Sequence, residues 1–437
     1  MTFTDTIVAL SSGRLPAGVA IVRVSGPKTR FVLETILGDV PASRMATYST
    51  MKRADGSILD RGVALFFPAP SSFTGEDVAE LHVHGGRAVV TATLDELCSI
   101  DGVRLAEAGE FTRRAFLNGK MDLLQTEALA DLIAAETEGQ RRFAVRNAED
   151  AQGQLYEAWR RRLIRARALL EAELDFADEA DVPGSVSRQV WADVETLAAE
   201  VKQQIEGYAR AEIIREGFEV AIVGAPNAGK SSLLNALVRR DAAIVSDEPG
   251  TTRDLIEVAM DIGGIKVVLT DTAGLRDGAG KVEQMGIQRA LARAQAASLV
   301  LYVEDITQPV DAEPPLTGPA IVRVGSKLDL SRAPLSKRYD LTISARSGVG
   351  LPELLDEIGQ RAAEAVGDFG DVLPSRARHQ QLLVRTHEHL LESLEDRDLE
   401  LRAEALRLAS DALGRIIGTV DVEDLLDVIF SEFCIGK

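Results

Sequence analysis

The stretch Gly224–Asn235, "GAPNAGKSSLLN", decides the fold of the central part of this chain. Its first eight residues fit the pattern G-x-x-x-x-G-K-[ST], in which the backbone N–H groups of a glycine-rich loop hold phosphate. The preceding "VAIVG" is typical of a buried strand, and a helix is expected from Ser231 onward. This strand–loop–helix context predicts a P-loop nucleotide site, in which Lys230 reaches the β- and γ-phosphates and the Ser231 hydroxyl ligates Mg²⁺.

Two further motifs follow at the spacing of a nucleotide switch. A threonine of "GTTRD", Gly250–Asp254, can complete the ligation of Mg²⁺ when a γ-phosphate is present, which makes this loop a switch. The strand "VVLTDTAG" ends in Asp271–Gly274, where Asp271 suits a place beside Mg²⁺ and the Gly274 N–H suits the γ-phosphate. Together with the P-loop, these motifs predict a nucleoside triphosphatase.

The base is expected to be guanine. The strand "AIVRVGSKLD" ends in Ser326-Lys327-Leu328-Asp329, and the Asp329 carboxylate can accept both N–H groups of the guanine N1/N2 edge, which adenine does not present. "SAR", Ser344–Arg346, fits the element whose backbone N–H meets guanine O6. The usual motif is N-K-x-D, so serine in place of asparagine predicts retained guanine preference with weaker nucleotide affinity.

Composition narrows the class of protein. The chain has 437 residues, 46% of them hydrophobic, which allows two to four domains with their own cores. No apolar run approaches the roughly 20 residues of a membrane span, and two cysteines cannot build a disulfide framework, so a reducing cytoplasm is expected. The net charge of −19 argues against the chain coating nucleic acid alone, so RNA work would need a local basic patch or a basic partner.

The order of patterns predicts a multidomain α+β protein. Residues 1–118 read as a mixed α/β domain, and residues 119–214 as long amphipathic helices. Strands and helices alternate over 215–372, as in a Ras-like doubly wound domain, and helices return over 373–437. Because domain termini often lie close together, the simplest arrangement is one helical domain with the GTPase domain inserted; two separate helical domains are the alternative.

The motifs resemble those of the MnmE (TrmE) family of tRNA-modification GTPases. The resemblance covers "GAPNAGKSSLLNAL", "GTTRD" and "DTAGLR", and extends to "SFTGEDVAELHVHGG", "AGEFTRRAFLNGKMDLLQTEALADLI" and the C-terminal "FCIGK". It implies a K⁺-dependent GTPase that forms a homodimer. With a FAD-dependent MnmG (GidA)-type partner, such a protein adds a carboxymethylaminomethyl group at C5 of the tRNA wobble uridine.

The resemblance also implies a folate site. The family's N-terminal domain dimerises and binds 5,10-methylene- or 5-formyl-tetrahydrofolate, and the matching positions are Arg23, Glu80, Lys120 and Lys437. Basic side chains suit the glutamate carboxylates of folate, and an acid suits the N–H edge of the pterin. The family places its C-terminal tail near this site, so Cys434 is a candidate for the modification chemistry.

The catalytic residues are predicted from one departure from the usual Ras-like pattern and from the family resemblance. Many Ras-like GTPases place Gln after D-x-x-G to orient water, but Leu275 stands here and cannot do so. The family motif "VExxG" makes Glu283 the candidate base. The resemblance supplies K⁺ as the positive charge at the transition state, with contacts that match Asn227, Ser246, Glu248 and Thr251.

The predicted GTP contacts come from all of these motifs. Mg²⁺ is assigned to Ser231 and Thr252. The full set is Asn227, Ala228, Gly229, Lys230, Ser231, Ser232, Ser246, Asp247, Glu248, Pro249, Gly250, Thr251, Thr252, Asp271, Thr272, Ala273, Gly274, Ser326, Lys327, Asp329, Ser344, Ala345 and Arg346.

Three alternatives stay open at this point. A GTPase switch that assists ribosome assembly is opposed by the lack of a visible basic RNA-binding domain, and an ATPase is opposed by Asp329. His82 and His84 flank "HGG" on one strand and suggest a metal pair, although folate-pocket packing or strand-end hydrogen bonding is the preferred interpretation.

Overall fold

A computed structural model describes most of the chain. It covers residues 3–175, 185–240, 243–244, 256–271, 292–309, 318–331 and 338–419, with Leu426, Ile429, Phe430, Phe433 and Gly436 near the end. The chain forms two compact units: Met1–Ala130 with Gly153–Ile164 and Ser410–Lys437, and Asp131–Gln152 with Arg165–Ala409. Among the described residues, no helix combines the length and the apolar character that crossing a bilayer requires. The four-domain division drawn from sequence stays a prediction.

The first unit contains a six-stranded sheet in the order β3-β4-β5-β2-β1-β6. Only β1 and β6 pair in parallel, and the other neighbours are antiparallel. The predicted mixture of strands and helices is confirmed here. The strands are β1 (Thr6–Leu10), β2 (Ala17–Ser25), β3 (Thr47–Lys52), β4 (Ile58–Phe67), β5 (Val78–Gly85) and β6 (Val103–Leu105); the helices are α1 (Thr29–Leu37), α2 (Arg87–Cys98) and α3 (Glu110–Leu117).

Alternation along the strands gives this sheet two different faces. Val22 and Val24 of β2 and Leu81 of β5 are buried with apolar residues of α1 and α2, including Leu33 and Leu97. Successive side chains of a strand point to opposite faces. Arg23 and Glu80, which are register partners between β2 and β5, therefore lie on the other face.

Long helices form the predicted helical segments. Helix α5 begins with a capping box. The Thr137 side chain accepts a hydrogen bond from the Gln140 backbone N–H, and the Gln140 side chain accepts one from the Thr137 backbone N–H. The helices of these segments are α4 (Leu123–Ala134), α5 (Glu138–Ala148), α6 (Ala151–Asp175), α7 (Ser185–Glu216), α10 (Ala377–Leu394) and α11 (Leu399–Ile417).

The second unit contains a seven-stranded sheet in the order β13-β12-β11-β7-β10-β9-β8. Strand β7 lies between β10 and β11 and is parallel to both, while β9 runs antiparallel to β10 and to β8. The predicted alternation is confirmed, since α8 (Lys230–Arg240) and α9 (Leu351–Val366) accompany the strands. These strands are β7 (Phe218–Val223), β8 (Ala243–Ile244), β9 (Ile256–Ile262), β10 (Ile265–Asp271), β11 (Leu299–Asp305), β12 (Ala320–Ser326) and β13 (Leu341–Thr342).

Candidate functional site

The glycine-rich loop leaves the carboxyl end of β7 and enters α8. Gly224 has a φ of +155°, and a Cβ built on it would lie 2.1 Å from the Val303 carbonyl oxygen. Gly229 has a φ of +97°, and Asn227 takes a left-handed φ of 62°. Side chains at the two glycine positions would be strained or would clash, so this backbone path requires glycine there. The loop thus lies at the carboxyl edge of a mainly parallel sheet, where such folds bind ligands.

Two side chains at the start of α8 face the inside of this loop. Lys230 is buried, and its Nζ donates to the carbonyl oxygens of Gly224 at 2.7 Å and Ala225 at 2.8 Å. The Ser231 hydroxyl donates to Asp271 Oδ2 at 2.7 Å, and Asp271 is fully buried. The structure therefore brings together Ser231, a predicted Mg²⁺ ligand, and Asp271, which was expected to lie beside the ion. Hydroxyl and carboxylate oxygens are the donors that this hard cation prefers.

The residues expected to read the base lie around the end of β12. Asp329 sits in a short 3₁₀ helix, Leu328–Leu330, and its side chain is exposed. The Ser344 hydroxyl donates to Asp329 Oδ1 at 2.7 Å, while Leu328 N–H donates to the Ile343 carbonyl at 3.0 Å. The bond from Ser344 holds the carboxylate by one oxygen, and the backbone bond of Leu328 holds the 3₁₀ helix that carries it.

Lys327 is held by an acid of the neighbouring strand. Its Nζ lies 2.6 Å from Asp305 Oδ2, and Thr307 donates to the other carboxylate oxygen at 2.7 Å. Burial by itself would raise the pKa of Asp305, but the hydrogen bonds from Lys327 and Thr307 outweigh it and lower the pKa. Asp305 is therefore ionised at neutral pH and remains a partner for the lysine.

Several predicted contacts lie outside the described residues. They comprise the switch positions Ser246, Asp247, Glu248, Pro249, Gly250, Thr251 and Thr252, the D-x-x-G positions Thr272, Ala273, Gly274 and Leu275, the proposed base Glu283, and Cys434 and Lys437.

A second cluster lies on the face of the six-stranded sheet that carries Arg23 and Glu80. Glu80 Oε1 accepts bonds from Arg23 Nε at 3.1 Å and from Arg23 Nη2 at 2.9 Å, and each side chain is 17% exposed. The Arg23 guanidinium lies 5.4 Å from the ring centroid of Phe73 and 5.8 Å from that of Phe111. A half-buried ion pair between two aromatic rings is suited to a planar, polar ligand.

The third described residue of the predicted folate set, Lys120, follows α3 and contacts the loop that carries Phe73. Lys120 Nζ donates to the Pro70 carbonyl at 2.9 Å, and Asn118 donates to the Thr74 carbonyl at 2.7 Å. The C-terminal segment also reaches this unit. Ser11 Oγ, just after β1, donates to the Gly436 carbonyl at 2.7 Å. Hydrogen bonds therefore hold both the Phe73 loop and the segment that follows β1.

The two histidines of β5 pair with different carboxylates. His84 Nδ1 lies 2.9 Å from Asp60 Oδ1, whereas His82 Nε2 lies 3.6 Å from Glu80 Oε2. Among the residues that the structure covers, no group of three or more His, Cys, Asp or Glu could hold a metal ion. Hydrogen bonding at the strand end, one of the two preferred interpretations of the sequence, describes the contact of His84, whereas the 3.6 Å contact of His82 is too long for a hydrogen bond.

Phe73 and Phe111 were missed by reasoning from the sequence. Both lie in motif blocks, "SSFTGED" and "AGEFTRR", where an aromatic ring stands among small and polar residues. That contrast was the available signal. It could not identify Arg23 as the contact, because the approach of α3 and the loop to β2 is a tertiary feature.

Family models cover nearly the whole chain. The model described as "MnmE helical domain" matches residues 123–434, and the one described as "GTP-binding protein TrmE N-terminus" matches residues 6–120. The first match alone spans more than half of the chain.

Full-length relatives share the same description. A protein of Mesorhizobium japonicum described as "tRNA modification GTPase MnmE" is 63% identical over 440 residues, which is 99% of each chain. Proteins with that description from Chelativorans sp. and Brucella melitensis are 57% and 56% identical and cover 98% and 99% of their own length, with 99% and 100% of this chain.

Solved structures match over part of the chain. The G domain of the T. maritima FeoB iron transporter is 25% identical and covers 33% of this chain and 98% of its own, with a TM-score of 0.24. A GTP-binding protein of Sulfolobus solfataricus in complex with GDP is 17% identical and covers 62% of this chain and 85% of its own, with a TM-score of 0.25.

Proposed function

Because this chain belongs to the MnmE family of tRNA modification GTPases, we propose that its GTP hydrolysis drives the addition of a carboxymethylaminomethyl group at C5 of the wobble uridine. The protein is a GTP hydrolase that acts in tRNA modification. The proposal includes the wobble uridine as the modified base, the folate donor, the K⁺ dependence and the partner. Its main support from the described residues is the pairing of a phosphate loop with a held carboxylate, Asp329, in one compact unit.

The residues of the phosphate site divide the work of binding GTP. The Lys230 ammonium lies inside the loop, where it attracts the β- and γ-phosphates, and the loop's backbone N–H groups point at their oxygens. Ser231 would hold Mg²⁺, together with Thr252 when the γ-phosphate is present, and Asp271 would lie beside the ion. When bound, the ion neutralises charge on the phosphate oxygens. Since the Ser231–Asp271 bond is already formed, the oxygen donors are positioned before nucleotide arrives.

Hydrolysis needs a group that orients water and a positive charge near the γ-phosphate. Leu275 cannot orient water, so we assign that role to Glu283, acting as base through a water. The charge is assigned to K⁺, with Asn227, Ser246, Glu248 and Thr251 as contacts. The exposed side chain and left-handed backbone of Asn227 are compatible with a loop residue that turns outward to a cation.

The one-carbon donor is assigned to the cluster around Arg23. The ion pair between Arg23 and Glu80 is partly buried beside the buried ring of Phe111 and the partly exposed ring of Phe73, so it presents charge next to one accessible aromatic ring. A reduced folate has a flat pterin, an N–H edge and carboxylates, and it matches this combination. Lys120 and Lys437 complete the proposed contacts, and Cys434 is a proposed participant in the chemistry.

The remaining parts of the proposal concern partners. We assign the flavin chemistry and most of the tRNA surface to an FAD-dependent MnmG-type protein. The acidic charge of −19 supports this division, because a chain so acidic binds RNA weakly by itself. The protein is proposed to act as a homodimer in the cytoplasm.

Nucleoside analysis of tRNA tests this function. Cells that lack the protein should lose the carboxymethylaminomethyl modification at the wobble uridine, and the wild-type chain should restore it. Arg23→Ala should restore it poorly, whereas Arg53→Ala is the matched control, because Arg53 is an exposed residue of the same unit outside the cluster. Normal wobble uridines in the deleted strain would refute the proposal.

A further inference from the structure

The serine that replaces the usual asparagine of the guanine motif is fully engaged by the protein. Ser326 ends β12 and is only 4% exposed. Its hydroxyl donates to the Ala228 carbonyl of the phosphate loop at 2.6 Å, with the Glu304 carbonyl of β11 at 3.0 Å. Both partners are acceptors, and a hydroxyl carries a single hydrogen. The side chain therefore has no hydrogen left to donate to a bound base.

The serine also lies directly against the phosphate loop. A Cβ built on Gly229 would lie 3.5 Å from Ser326 Oγ and 3.7 Å from its Cβ, which is ordinary van der Waals contact. The residue thus connects the loop that holds phosphate with the motif that reads the base. Ser326 is shorter than the asparagine of the usual N-K-x-D motif, but it still makes this connection to the phosphate loop.

The contacts predicted for Asp329 and for Ser344–Arg346 leave one guanine acceptor without a hydrogen-bond donor. On its major-groove edge, guanine presents the acceptors O6 and N7. Asp329 is assigned to the N1/N2 edge and the backbone of Ser344–Arg346 to O6, which leaves N7. An asparagine amide has two N–H groups, so it can hold the phosphate loop and still donate to N7. The Lys327 ammonium pairs with Asp305 of the neighbouring strand at 2.6 Å.

We propose that Ser326 keeps the tie to the phosphate loop and gives up the donor to N7, so that this nucleotide site accepts guanine and 7-deazaguanine alike. The proposal makes position 326 a specificity-determining residue. It rests on the guanine-reading role proposed for Asp329 and goes beyond it, because it concerns an edge of the base that Asp329 does not contact.

The test compares GDP with 7-deazaguanosine diphosphate on the full-length protein by calorimetry. The wild type should bind the two within about twofold of each other. Ser326→Asn should gain a preference for GDP of roughly 2- to 12-fold, the range that one neutral hydrogen bond supplies. Ser326→Ala should bind both nucleotides more weakly by the same factor, because it loses the tie to Ala228 but no contact with the base.

The possible results distinguish a failure of the proposal for Ser326 from a failure of the role of Asp329. A wild-type preference for GDP over the 7-deaza analogue of more than about twofold would overturn the proposal, since some group must then donate to N7. Unchanged affinities in Ser326→Ala would overturn the proposed tie. If Ser326→Asn does not fold, the wild-type ratio and the alanine variant still decide. Equal binding of xanthosine diphosphate and GDP by the wild type would instead refute the role of Asp329.

Discussion

Asp329→Asn is expected to move the nucleotide preference of the protein from guanine towards xanthine. In the structure, the Ser344 hydroxyl donates to Asp329 Oδ1 at 2.7 Å. An asparagine can keep this bond through its amide oxygen, which places the amide nitrogen where Oδ2 stood. The variant therefore presents an N–H group to the base where the wild type presents a carboxylate oxygen.

The expected loss of GTP affinity follows from the hydrogen bonds that the substitution changes. GTP loses one hydrogen bond to a charged group, about 1.5–3 kcal/mol, which is about 12- to 160-fold in affinity. The remaining clash of two N–H donors adds to this loss. Xanthine carries an oxygen at C2 in place of the amino group, so the asparagine N–H can donate to it.

Initial rates of hydrolysis and calorimetric affinities with GTP and XTP measure this exchange. Asp340→Asn is a suitable control, because Asp340 lies in the same unit and its carboxylate accepts from the Arg323 backbone N–H at 2.8 Å. A GTP preference in Asp329→Asn equal to that of the wild type would remove Asp329 from base recognition.

Three other predictions address different parts of the molecule. Arg23→Ala should weaken calorimetric binding of 5-formyl-tetrahydrofolate by about 12- to 160-fold through loss of a charge-assisted pair, and undetectable binding by the wild type would refute the site. GTP hydrolysis should be much faster in K⁺ than in Na⁺ at fixed ionic strength, with the stimulation lost in Asn227→Ala and turnover but not binding reduced in Glu283→Ala; equal rates in both salts would leave the K⁺ assignment without support. Gly139→Ala should lower the urea midpoint, because its Cβ would lie 2.6 Å from both the Gly264 carbonyl oxygen and the Phe369 ring. Overpacking of this kind costs about 1–3 kcal/mol, against about 1 kcal/mol gained in helix propensity, while Gly18→Ala, with open space around it, should be neutral.

Local pattern predicted the elements that carry the nucleotide site. The strand Phe218–Val223 and the helix from Lys230 were expected because an apolar run, two glycines and a helical pattern follow one another. Ser231 and Asp271, 40 positions apart, were each expected near Mg²⁺, and the structure brings them into contact at the carboxyl ends of two strands. Parallel strands bring such ends to one edge of the sheet, so topology turns sequence order into proximity.

Contacts set by register and packing could not be predicted in the same way. Strand β3, Thr47–Lys52, was missed because its polar side chains lack the apolar alternation of a strand, and pairing with β4 determines it. The contacts of Ser326 with Ala228 and Glu304 depend on angstrom-scale placement of three segments. Sequence indicated that serine was unusual there, but the structure was needed to find which carbonyls occupy its hydroxyl.

One strand connects the phosphate site with the helical segment of the second unit. At its carboxyl end, β10 carries Asp271, which accepts the bond from Ser231. At its other end, the Gly264 carbonyl accepts the Gly139 N–H of α5 at 2.9 Å, and Lys266 pairs with Glu136 at 2.7 Å. Strand β10 is also hydrogen-bonded to β7 and β9 along its length, so it is held on both sides in the middle of the sheet. The carboxylate at the phosphate site and the contacts with Glu136 and Gly139 are therefore joined through a single strand.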